Sequence, residues 1–153
     1  MTWKANLPVP MLVLLLLASC TAPATVGRLH FGVVADATTP AGAELQTFDH
    51  HGTAKDEEGP VSVELPLLKC EVRSTALGQD KYGYPGVTVE LRSEDAQSFR
   101  TFTARIKGRE MVVIVGSAVR FKAVVADELP GIAFLSGGFS TEEAMALEAA
   151  IRR

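Results

Sequence analysis

Few residues in this 153-residue chain combine the types and spacing that chemistry needs. Asp49-His50-His51 is the one cluster of metal-ligand types. Neighbouring histidines in an extended segment point to opposite sides, and no third ligand stands at a recognisable spacing, so a solvated loop tip is expected and no metal. Ser136 is a candidate hydroxyl nucleophile, but no Gly-x-Ser-x-Gly elbow surrounds it. Glu143 follows Ser140 by three residues, the spacing of a helix capping box. No catalytic constellation results, so neither enzymatic activity nor a cofactor is expected. A small envelope hydrolase drawing on Asp49, His50, His51, Ser136 and Glu143 is the weaker alternative. Two thiols complete the inventory. Cys70 stands in the apolar run Leu67-Leu68-Lys69-Cys70 and is expected to be buried and inert.

Cys20 has a different setting. Lys4 and the amino terminus make a positive start, and Met11 to Ala18 is an apolar run of about eight residues, far short of the ~20 that span a membrane. Pro8 and Pro10 oppose a longer helix. The segment therefore has the form of a signal peptide. Leu17-Ala18-Ser19-Cys20 resembles the lipobox of bacterial lipoproteins, an aliphatic residue and two small ones before a cysteine. That resemblance implies cleavage between Ser19 and Cys20, lipidation of Cys20 with several acyl chains, and a membrane anchor. Thr21 to Thr25, small residues with one proline, suit a short tether. The expected organisation is a leader over 1–19, a lipidated cysteine and tether over 20–27, and one domain over 28–153. The expected location is the cell envelope, on the periplasmic side of the outer membrane where two membranes exist.

Lys4 is the one charged residue before Cys20, and the chain beyond that cysteine carries 14 basic against 18 acidic residues. Such mild acidity offers nothing to nucleic acid. Aromatic residues make up 7% of the chain, which predicts a small, aliphatic core.

Alternation predicts strands over Leu29–Val34, Val61–Leu65 and Val87–Leu91; the β-branched run Met111–Val115 predicts a strand covered on both sides or nearly so, with Ala118–Val125 as its returning partner and Ile132–Ser136 as a further strand. The polar stretch 36–60 is expected to be a long loop, mobile or functional, with Asp56-Glu57-Glu58 a solvated face. Residues 71–83 are expected to be polar connection with a helical turn. Tyr82 and Tyr84 then either pack on the next strand or stand exposed as a contact, packing being the expectation. Ser93 is expected to cap a helix whose buried stripe is Ala96, Phe99, Phe102 and Ile106. Gly116-Ser117 suits a two-residue hairpin with glycine first. Gly137-Gly138 allows a sharp turn, Phe139 plugs the core, and a last helix presents Ala144, Leu147 and Ile151. The expected fold class is α+β, a mostly antiparallel sheet with two helices packed on one face.

Three stretches resemble the head subdomain of the first periplasmic domain of SecD, a membrane subunit that assists protein export. They are Pro85 to Leu91 with the acidic helix start and Phe99, the pair Met111 to Val125, and Ser136 to Ala144, which is similar to the family's Gly-Gly-Phe-Thr/Ser-x-Glu-Glu-Ala signature through Gly137, Gly138, Phe139 and Glu143. The similarity is best over 85–152. It departs at Gly116-Ser117, where the family has Asp-Gly, and at Ala123, where it has proline. The resemblance implies a fold and a surface for a polypeptide or an envelope protein partner, in a non-enzymatic lipoprotein. A purely structural or vestigial SecD-derived domain is the alternative.

Overall fold

The computed structural model describes residues 25–51 and 59–153. The leader, Ser19, Cys20 and the acidic run 56–58 lie outside the described residues.

Strand β6, Glu110–Val115, is the middle of the molecule. Met111 to Val115 are buried on both faces, which is why this strand is an unbroken apolar run rather than an alternation. Gly116, with φ of 64°, turns the chain into β7, Ala118–Val124, its antiparallel neighbour. On the other side of β6 lie β1 (Gly27–Val33), β4 (Leu68–Gln79), β5 (Pro85–Leu91) and β8 (Ile132–Leu135), each antiparallel to the one before. Beyond β7 lie β2 (Leu45–His50) and β3 (Val61–Glu64). The order across the sheet is β3-β2-β7-β6-β1-β4-β5-β8.

This corrects the expected fold class. β2 runs parallel to β7, with His50 opposite Val119, so the sheet is mixed, and its eight strands curve into a half-barrel. The two short helices do not form a layer on one face of an antiparallel sheet. Two strands were hidden in polar sequence. In β2 only Phe48 and His50 are buried, so the stretch expected to be a loop shows almost no apolar alternation. In β4 the residues after Val72 run out beyond the core as the long arm of a hairpin with β5, and polar side chains suffice there. The segment expected to hold a helical turn is therefore strand.

Two apolar clusters occupy opposite sides of β6. The larger joins Leu29, Phe31, Val87 and Val89 of the sheet to Phe99, Leu147 and Ile151 of the helices. The smaller gathers Phe48, Val63, Val112, Ile114 and Val119 under the β2–β3 wing. Helix α1, Ser93–Arg105, buries Phe99 and Phe102, and Phe99 meets Phe31 with ring centroids 4.6 Å apart. Burial of such a side chain contributes roughly 2–3 kcal/mol. The expected Ser93 cap is not made: Arg92 is the N-cap residue, and no side chain caps the helix amides from that position. First-turn Asp95 instead accepts from the Glu71 backbone at 2.7 Å, tying the helix start to β4. Helix α2, Thr141–Ile151, starts with a complete capping box: Ser140 Oγ accepts from Glu143 N at 3.1 Å, and Glu143 Oε2 accepts from Ser140 N at 2.6 Å. Ala144, Leu147 and Ile151 are its buried face.

Candidate functional site

The sheet has two end strands, and they are not alike. The outer edge of β3 is partly covered, since Val34 bridges Val63 and Ala35 N donates to Ser62 O at 2.9 Å. The outer edge of β8 has no backbone partner among the described residues. Its register settles which groups face outward. Leu91 N donates to Gly131 O at 2.7 Å, so in the same register Val89–Ala133 and Val87–Leu135 are the hydrogen-bonded pairs. The N–H and C=O groups of Ile132 and Phe134 therefore point away from β5, to the open edge.

The side chains of these two residues also face outward. Leu135 is buried, whereas Ile132 is 54% and Phe134 38% exposed. Phe134 lies over Gly86, where an added Cβ would come within 2.6 Å of the ring and 2.5 Å of the Leu135 carbonyl. Gly78 pairs with Gly86 and would place a Cβ 3.6 Å from the same ring. The two glycines thus form the floor on which the ring rests, a known way of covering glycine in a sheet. Tyr84 precedes β5 on the same face and is half exposed, and Tyr82 at the hairpin tip is more so. Both tyrosines are thus more open to solvent than the expected packing implies. Asp80 shapes this end: its carboxylate accepts from Tyr82 N at 2.8 Å, Tyr84 N at 3.0 Å and Ser136 Oγ at 3.2 Å. Partial desolvation opposes ionisation, yet these donors prevail and hold its pKa below the ordinary value.

The residues singled out by type are spread apart. Ser136 is partnered by Asp80, not by a histidine. His50 is buried within β2 rather than at a loop tip, while His51 is exposed and donates its backbone N–H to Val119 O at 2.9 Å. Among the described residues no three of His, Cys, Asp and Glu gather as metal ligands. Cys70 is fully buried, and desolvation, aided by Asp95, pushes its pKa up to about 12. Gly138 adopts φ of 79° and Phe139 is buried, so Gly137 to Glu143 form a turn, a core contact and a cap. The residues of the edge itself, Ile132 and Phe134, were not singled out. Their signal is present: a short apolar run, Ile132 to Leu135, enclosed by Pro130-Gly131 and Gly137-Gly138.

The fold of this chain resembles folds already solved. It is similar to a solved structure described as a membrane component SecDF that enhances protein export, with a TM-score of 0.57 and 19% identity over 84% of this chain and 63% of that one. It is also similar to SecDF in a super-membrane-facing form, with a TM-score of 0.59 and 19% identity over 84% of this chain and 19% of that one. Residues 50–153 match the family model of the SecDF P1 head subdomain, and the chain belongs to that family. Among curated relatives it is 30% identical over 87 residues to protein translocase subunit SecD of Leptotrichia buccalis, which covers 56% of this chain and 20% of that protein. It is 27% identical over 90 residues to the SecD of Aquifex aeolicus, covering 58% of this chain and 18% of that protein. The chain spans about a fifth of the length of these relatives. No helix among the described residues is long and apolar enough to cross a membrane.

Proposed function

We propose that this chain is a non-enzymatic lipoprotein of the cell envelope, anchored through Cys20, whose head domain holds an extended polypeptide or an envelope protein partner. The observation that carries this reading is the bare edge of β8. A peptide laid along it would find the outward N–H and C=O groups of Ile132 and Phe134 and, beside them, the apolar face of Ile132, Phe134 and Tyr84. Strand addition of this kind takes affinity from the main chain and selectivity from alternate side chains. β8 carries no charged residue to discourage pairing. The relatives are named as translocase subunits and as a component that enhances protein export, and a polypeptide is the occupant consistent with those names.

The test uses the full chain in detergent micelles and, as probe, a permanently unfolded reduced and alkylated protein. Ile132→Pro removes one outward donor while leaving the bonds to β5 in place. Losing one hydrogen bond costs about 1 kcal/mol, so capture falls about five-fold, whereas Ile132→Ala keeps the donor and loses less. Equal capture by Ile132→Pro and the native chain contradicts strand addition. The anchor has its own test: Cys20→Ser is expected to abolish lipid labelling and processing, and a variant that still incorporates label at the native level overturns the lipoprotein reading.

A further inference from the structure

The β6–β7 ladder contains a bulge. Val113 pairs with Phe121 and Ile114 with Val119, so Arg120 has no opposite residue on β6. Bulges re-aim side chains, and here the extra residue is an arginine. Its side chain lines a cleft of about 80 Å³ between the end of β2, β7 and α2, together with His51, Phe139, Glu143, Ala146 and Leu147. Among the described residues Arg120 makes no ion pair and no side-chain hydrogen bond, and its Nε is buried without an acceptor. A guanidinium presents five donors, and a buried donor left unmatched is uncommon enough to need a reason. One part of the wall is apolar, from Ala146 and the buried Phe139 and Leu147, and the rest is His51 and Glu143. Glu143 at the rim is held in the capping box, where its carboxylate accepts from Ser140 N.

We propose that this cleft is a carboxylate-binding site with Arg120 as its anchor. Its ligand is the acetate- or propionate-sized end of an aspartate or glutamate side chain, and the source of that side chain rests on the polypeptide reading above. Three features select this ligand. The fork of Arg120 matches a carboxylate in two-point geometry. The apolar wall accommodates the short aliphatic stem. The volume of about 80 Å³ is of the order that a carboxylate with a short stem fills. The chain itself links the edge to the cleft: it leaves β8 at Leu135, passes Gly137 against the Phe121 ring, and enters the cleft wall at Phe139, whose ring lies 6.2 Å from that of Phe121. An acidic residue a few positions along an edge-bound peptide is thus the expected second contact.

The experiment is an acetate and propionate titration of the full chain in micelles, at constant ionic strength with chloride as counter-titrant, followed by the NMR resonance of the Arg120 Nε–H. A saturable shift is expected, with affinity falling about ten-fold or more in Arg120→Gln and less in Arg120→Lys, which keeps the charge without the fork. Linear shifts matching those of chloride, or the same saturation curve in Arg120→Gln read from neighbouring amides, overturn the proposal. Unfolded-protein capture is measured in parallel. Loss of the edge reading with saturation intact refutes the polypeptide source alone, and absence of saturation refutes the site whatever the capture result.

Discussion

Arg109 holds the β2–β3 wing in place, and removing it is expected to loosen that wing measurably. Its guanidinium reaches Glu64 of β3 (3.2 Å from Nη1 to Oε2), both oxygens of Asp36 at 3.2 Å, Thr39 Oγ1 at 3.3 Å and the Val34 carbonyl at 3.3 Å. The Arg109 side chain is 21% and that of Glu64 17% exposed. Fully exposed pairs contribute about 0–1 kcal/mol, and breaking a buried one costs about 3–5 kcal/mol. A pair with this much solvent access lies between, so Arg109→Met is expected to cost about 2 kcal/mol and lower the melting temperature by roughly 4–8 °C. The assay is urea and thermal unfolding of the native chain, Arg109→Met, Glu64→Gln and the double variant. A coupling of about 1 kcal/mol between the two positions is expected. A loss below about 0.5 kcal/mol for Arg109→Met, or no coupling, refutes the idea that this pair secures the wing.

The same geometry gives three further expected outcomes. Ser140→Ala leaves the Glu143 amide without its cap and is expected to cost about 1 kcal/mol in the same unfolding assay, with Ser140→Asp restoring most of it. Asp36, held near pKa 2 against an ordinary 3.8 by the Thr38 hydroxyl and then by Arg109, contributes stability that is fully present above about pH 4 and lost as pH falls toward 2; Asp36→Asn is expected to flatten that part of the stability–pH curve, measured by urea unfolding. Cys70 is expected to resist a maleimide in the native protein and to react at once on unfolding; rapid native labelling at neutral pH would contradict its burial.

Much of the sheet was legible because burial imposes a pattern. β6 is apolar at every position from Met111 to Val115, and β5 alternates, because one is covered on both faces and the other on one. The α2 cap was legible because a capping box needs only Ser140, Glu143 and their spacing. The fold class was missed where that logic lapses. β2 hides because it lies at the margin of the sheet with four exposed residues of six, and β4 hides because its hairpin arm extends past the core. Ser93 failed as a cap because Asp95 turns to the Glu71 backbone and Arg92 occupies the cap position. The edge was half legible: Ile132 to Leu135 was recognisable as a strand, but its position at the end of the sheet depends on pairings between residues more than forty apart. Arg120 was not legible at all, since a bulge is a property of two strands together.

The central claim is that β8 receives an extended polypeptide. A photo-crosslinking amino acid at Phe134, in the full chain within its native envelope, tests this most directly, with the same group at Leu45 on the opposite wing as control. The account predicts polypeptide adducts at position 134, few at position 45, and loss of the former when Ile132→Pro is added. Equal adducts at both positions, or none at 134, would contradict it.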